Sequence, residues 1–305
     1  MPDSTSPPDT AQAPTSPAAP QRVRTSGGRP RSERLIAAAR LLGDDSPTVR
    51  EALRPVFLGA GSEGRPLLRA ASKSGDPAAR THARALLEAL DDQRTQRRLL
   101  GYAARRELDL ETGLFLLGSF DRAGLDARPY RAALDGMARI AMQRASHLRD
   151  DLQRARSLVE FLGGEMGYRG EEDNYHRPDG VFLHRVIERK RGLPLTLCAM
   201  YAAVARRCGL LTGLVPLPGH VMLRLYGTHQ NLIVDPFHGG EPRSQEELIE
   251  YLHDHGLRFN PVWMHDAGAR SLLTRQTANL QNAWRSVGRP GRARRLDPVL
   301  EALGS

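Results

Sequence analysis

The segment LPLTLCAMYAAVARRCG (193–209) constrains this chain more than any other. It reads as a strongly apolar helix that opens with Pro194 near its first position and stops at Gly209. Such a helix must be buried, and the two runs after it supply something to bury it against. HVMLRLYG (220–227) alternates Val221, Leu223 and Leu225 with Met222, Arg224 and Tyr226, and NLIVDPF (231–237) ends at Asp235-Pro236. Both read as strands, joined by a hairpin turn at Thr228, His229 and Gln230. A buried helix followed by antiparallel strands is an α+β module.

The chain has 305 residues, more than one average domain needs, so two folded units with tails are expected. Residues 1–31 are rich in Pro, Ser, Thr, Ala and Gly, cannot repay their ordering entropy, and are expected to be a disordered tail. Residues 32–97 turn helical. The stretches DSPTVREAL (45–53) and GDPAARTHARAL (75–86) match at a spacing of about 31 residues, as in HEAT-type helical pairs. The helical pattern continues over 98–143, with amphipathic stretches at 109–120 and 129–142. After Leu158 come a glycine-ended segment, a polar loop EEDNYHRPDG (171–180) and a short helix over 181–192. The expected domains are 32–97, 98–255 and a helical segment over 256–305 with a basic tail.

Charge and cysteine content exclude several functions. The formal net charge is +9, but residues 1–34 contribute +2 and residues 285–305 contribute +3, which leaves only +4 for the middle of the chain. Lysine occurs only at Lys73 and Lys190, so arginine is the default cation, and no basic recognition helix or aromatic ladder stands out. Nucleic-acid contact is therefore not expected outside the basic ends. No apolar run reaches the roughly 18–20 residues of a membrane span, and the start of the chain does not resemble a secretory signal. The two cysteines, Cys198 and Cys208, lie ten residues apart on one helix and are expected to stay unpaired. A cytoplasmic protein with a protein partner is the expectation; oligomeric state is left open.

One constellation carries chemistry. A cysteine hydrolase or acyl-transferase needs a thiolate at a helix N-terminus, a histidine on a neighbouring strand, and an Asp or Asn to orient it. Here a helix is followed by His220 opening one strand and Asp235 closing the next, an order that suits a base and its orienter.

The stretches EMGYRGEEDNYHRPDGVFLHRVIERKRGLPLTL, PGHVMLRL and VDPFHGG resemble the bacterial SirB-type family of transglutaminase-like domain proteins, over about residues 98–255. The resemblance implies a papain-like α+β domain preceded by helical repeats. It also implies that His220 and Asp235 occupy the catalytic His and Asp positions. The family's active members carry their cysteine at the start of the helix, a place held here by Pro194 to Thr196. Where the family usually has Asn-Ser, this chain has Gly180-Val181. Residues 256–305 resemble a single tetratricopeptide hairpin, expected to pack as a C-terminal cap.

Two nucleophile candidates remain, Cys198 one helical turn beyond Pro194, and Thr196. Cys198 is expected to be a protonated core cysteine and Thr196 a capping hydroxyl. Cys208 sits at the end of the helix where the dipole does not favour a thiolate. His238 could join His220 and Asp235 around a divalent ion, with a turn-capping role as the plainer alternative. No metal or other cofactor is assigned on sequence. His253 and His255 read as solvated, and Glu188 as either a solvated helix end or a paired positioning residue. The expected function is a catalytically silent, protein-binding member of the family. The alternative is a Cys- or Thr-dependent acyl hydrolase or amidase built on His220 and Asp235.

Overall fold

The structure, a computed structural model, describes residues 30–172 and 176–304. The tail expectation for residues 1–31 lies almost wholly outside the described residues. The chain is α+β, and no described helix is long and apolar enough to cross a membrane.

Four helices come first: α1 (Arg31–Arg40), α2 (Pro47–Ala60), α3 (Arg65–Ala71) and the long α4 (Pro77–Ala103). Pro47 and Pro77 sit in first turns, where the missing N–H costs no helical bond, and the Asp76 carboxylate caps the Ala78 N–H. Their apolar faces enclose a core of their own around Leu42, Phe57, Leu68 and Leu86. Helix α4 runs on into a second and larger core that it shares with α5 (Leu110–Gly118), α6 (Arg128–Arg144) and α7 (Asp151–Val159). Helix α7 continues as a π turn, Glu160–Glu165.

Two short strands, β1 (Arg169–Gly170) and β2 (Arg191–Gly192), pair in parallel on either side of α8 (Leu183–Arg189). The chain then enters α9 (Pro194–Arg207), buried along all but its last two residues. Gly209 ends it at φ +76°, a conformation costly for any side chain. The strands β3 (Thr212–Leu217), β4 (His220–Tyr226), β5 (Asn231–Asp235) and β6 (Glu241–Pro242) form an antiparallel meander. Strand alternation sorts its two faces. Val221, Leu223, Leu225 and Val234 enter the large core with α9, whereas Met222 and Ile233 face a smaller core capped by α10 (Gln245–Asp254). Ser244 and Glu247 start α10 with a reciprocal capping box.

The last helices are α11 (Ala269–Ser286), α12 (Pro290–Ala293) and α13 (Asp297–Gly304). Leu272, Leu273, Leu280 and Trp284 of α11 join the large core beside α9, so this end of the chain is continuous with the domain before it. Arg292 and Arg295 both bond the buried Asp92 of α4, which anchors two cations of the basic C-terminal stretch to the body of the protein.

Candidate functional site

His220 opens β4 and Asp235 closes β5, so the hairpin sets their side chains next to each other on one sheet face. His220 Nε2 lies 2.9 Å from Asp235 Oδ2. The same oxygen lies 2.7 Å from Nδ1 of His238, in the 3₁₀ turn Pro236–His238 directly after β5. The other carboxylate oxygen accepts the Phe237 backbone N–H at 2.9 Å. Burial of Asp235 works against its charge. The hydrogen bonds and charges of His220 and His238 overcome this and hold its carboxyl below the ordinary value. His220 and Asp235 are buried, whereas His238 is half-exposed.

These side chains open onto a cavity of about 390 Å³ between the sheet and α10. Its other walls include Phe237, Arg243, Glu247, Glu250, Tyr251 and Asp254. The His220 ring meets Phe237 edge-on at 5.7 Å and Tyr251 at 6.0 Å. Behind the hairpin, Arg275 of α11 donates to the carbonyl oxygens of Leu217 and His220, at 2.9 Å each. Gly163 in the π turn lets the chain pass close to Gly239, where a Cβ would stand 1.7 Å from the Gly239 oxygen. A π turn at this point fits the tendency of such turns to lie beside functional groups.

The two nucleophile candidates lie on α9, on the opposite side of the sheet. Cys198 has no exposed surface, and its thiol donates to the Val221 carbonyl at 3.2 Å. Desolvation and then the Asp235 charge push its pKa well above the ordinary value, with only Arg275 opposing them. Thr196, also fully buried, donates to Gly180 O at 2.8 Å and accepts from Gln276 Nε2 at 2.7 Å. Its hydroxyl is occupied on both counts. Cys208 is buried, lies 3.6 Å from the Ala138 carbonyl oxygen, and is likewise raised by desolvation. The structure therefore brings together His220, Asp235 and His238, and leaves both α9 side chains bonded elsewhere.

Other residues singled out on sequence have local roles. Glu188 is partly exposed and binds Tyr130 at 2.6 Å and Arg122 at 3.2 Å. His255 bonds the Tyr251 carbonyl oxygen one turn back, and both it and His253 are exposed. Sequence reasoning did not reach the α10 wall, Arg275 or Gln276. The Ser244–Glu247 capping box was a readable signal for α10, but the long-range bonds of α11 leave no local mark.

Residues 128–278 match the family model described as Transglutaminase-like superfamily. A UPF0162 protein of Xylella fastidiosa is 32% identical over 154 residues, which cover 48% of this chain and 55% of that protein. A UPF0162 protein of Haemophilus influenzae is 23% identical over 184 residues, covering 60% of this chain and 68% of that one. F-box only protein 21 of Mus musculus is 29% identical over 63 residues, 21% of this chain and 10% of that protein. The chain thus spans about half the length of the first curated relatives it matches. No solved structure matches it significantly.

Proposed function

We propose that this is a SirB-type, transglutaminase-like protein that carries out no thiol acyl transfer and acts in the cytoplasm by binding another protein. The observation that carries the reading is the state of Cys198. A thiol without solvent access, bonded to a backbone carbonyl and with a raised pKa, is neither a thiolate nor a nucleophile. Thr196 offers no substitute, because its hydroxyl is bonded on both sides inside the core. His220 instead presents its ring to the α10 cavity, where no described cysteine or serine lines the wall. The helical part over 32–97, read here as HEAT-like pairs, supports the binding role. It has its own core and leaves Ile36, Leu41 and Val56 exposed. Two unpaired buried cysteines fit a reducing compartment.

The test is iodoacetamide labelling of the native protein against pH, with His220→Ala in parallel. Labelling only after denaturation is expected. Fast native labelling of Cys198, with an apparent pKa below the free-thiol value of about 8.5 that rises in His220→Ala, would overturn the reading in favour of a Cys–His hydrolase.

A further inference from the structure

His220, Asp235 and His238 leave their role open once the thiol is set aside. We infer that they form a binding site for a divalent transition-metal ion of the class that prefers imidazole and carboxylate ligands, with Zn²⁺ as the representative. The inference goes beyond the proposed binding function and does not depend on it.

The geometry comes first. One nitrogen from each imidazole and one carboxylate oxygen lie within 4.8 Å of one another. Asp235 Oδ2 stands 2.9 Å from His220 Nε2 and 2.7 Å from His238 Nδ1. Ligands about 2.1 Å from a zinc ion and at right angles to each other are separated by about 3 Å, and by about 3.4 Å in a tetrahedron. Closing the site around an ion therefore asks Asp235 to draw back from each ring by a few tenths of an ångström, and the two ring nitrogens, which lie within 4.8 Å of each other, to stand about 3.0–3.4 Å apart, with the half-exposed His238 ring the one that has room to turn.

The chemistry of the donors agrees. Two imidazoles and one carboxylate suit zinc and its neighbours better than calcium or magnesium, which favour all-oxygen shells. On binding, His220 would coordinate through Nε2 and carry its proton on Nδ1, while His238 would coordinate through Nδ1 and carry its proton on Nε2. Metal-bound imidazole is neutral, so an ion would stand in for the hydrogen bonds that link the two rings to this one carboxylate oxygen. The Phe237 N–H on the other oxygen fixes the carboxylate plane, as an outer partner does for a metal ligand.

The surroundings favour a cation independently of the three ligands. The cavity onto which they open is also lined by Glu247, Glu250 and Asp254. Its one arginine, Arg243, is already paired with Glu241 at 2.7 Å and with Glu247 at 3.9 Å. A recess whose carboxylates outnumber its arginines raises the local concentration of a cation. Three protein ligands leave at least one coordination position facing the cavity, for water or a ligand.

The test uses the full chain without an affinity tag, stripped with chelator and dialysed. Zn²⁺ is titrated by calorimetry, and Co²⁺ by its visible absorption. The expected result is one ion per chain, a rise in Tm with Zn²⁺, and cobalt bands that zinc removes. His238→Ala is the key variant, since its half-exposed ring can be lost without disturbing the core. Its metal-free Tm should fall by only a few degrees, from the lost bond to Asp235, while its affinity for Zn²⁺ should fall at least tenfold. A His253→Ala/His255→Ala pair should bind as the unaltered chain does. Absence of binding at micromolar Zn²⁺ would overturn the site. So would binding that survives His238→Ala, or that is lost only with His253 and His255. Thiol labelling reads a different residue, so failure here leaves the silent-thiol reading standing.

Discussion

The Cys198 thiol donates to the carbonyl oxygen of Val221, the residue next to His220, across 3.2 Å. A thiol that lies so near a histidine in sequence register, yet is turned to the backbone behind it, behaves as packing. Cys198→Ala should therefore fold, at a cost of about 1 kcal/mol from the lost volume and weak bond, read from chemical denaturation. A loss above about 4 kcal/mol would mean that the sulfur holds the hairpin in place.

Thr196 ties α9 to two other elements, through Gly180 O and Gln276 Nε2. Thr196→Val keeps the shape and leaves the Gln276 amide short of one partner. It should cost about 1–3 kcal/mol, and adding Gln276→Leu should recover part of it. Fully additive losses in the double variant would disprove the coupling.

Gly163 and Gly164 are neighbours with opposite tolerances. A Cβ on Gly163 would meet the Gly239 main chain, whereas one on Gly164 would meet nothing nearer than Glu160 Cγ at 3.8 Å. Gly163→Ala should cost about 1–3 kcal/mol or more because backbone has to shift, and Gly164→Ala should stay within about 1 kcal/mol. Equal effects in thermal melts would mean the close approach is not needed.

Asp92 is buried on α4 between Arg292 and Arg295. Removing one partner of a buried ionic cluster is costly, so Asp92→Ala should destabilise by about 3–5 kcal/mol. It should also raise protease sensitivity near residues 289–296. A loss within 0.5 kcal/mol in denaturant melts would show that the C-terminal arginines are not anchored there.

Asp121 accepts from His184 at 2.8 Å and from Arg185 at 2.7 Å. Burial opposes its charge, but these two partners lower its pKa from 3.8 to about 2. A carboxyl depressed in the folded state adds stability that is present above its unfolded pKa and disappears as pH falls through its folded one. The unaltered chain should therefore lose stability between pH 4 and 2, and Asp121→Asn should flatten that part of the profile. An unchanged slope in the variant would assign the acid transition elsewhere.

The α9 helix and the β4–β5 hairpin were legible because burial and alternation are local patterns, and Pro194, Gly209 and Asp235-Pro236 mark their ends. What these patterns could not say was which helix covers each face, because the apolar run marks α9 as buried without naming its partner, and α10 was not read. The π turn left no signal beyond two glycines, and β3, broken by Pro216, did not stand out from its surroundings. Arg275 and Gln276 were hidden for a different reason. Their partners lie 55 to 95 residues earlier, and nothing in the local pattern of α11 distinguishes them from ordinary polar positions on a helix.

That distance has a bearing on how the molecule is made. Arg275 clasps the carbonyls of Leu217 and His220 from 58 and 55 residues downstream. On a ribosome releasing the chain at roughly 5–20 residues per second, the hairpin has emerged seconds before its clasp exists. During that interval His220 and Asp235 can pair and α9, made earlier, can cover the back of the sheet, but the apolar positions that Leu272, Leu273 and Leu280 of α11 fill stay open. The nascent chain therefore passes through a stage in which the site is nearly formed while the large core still lacks α11.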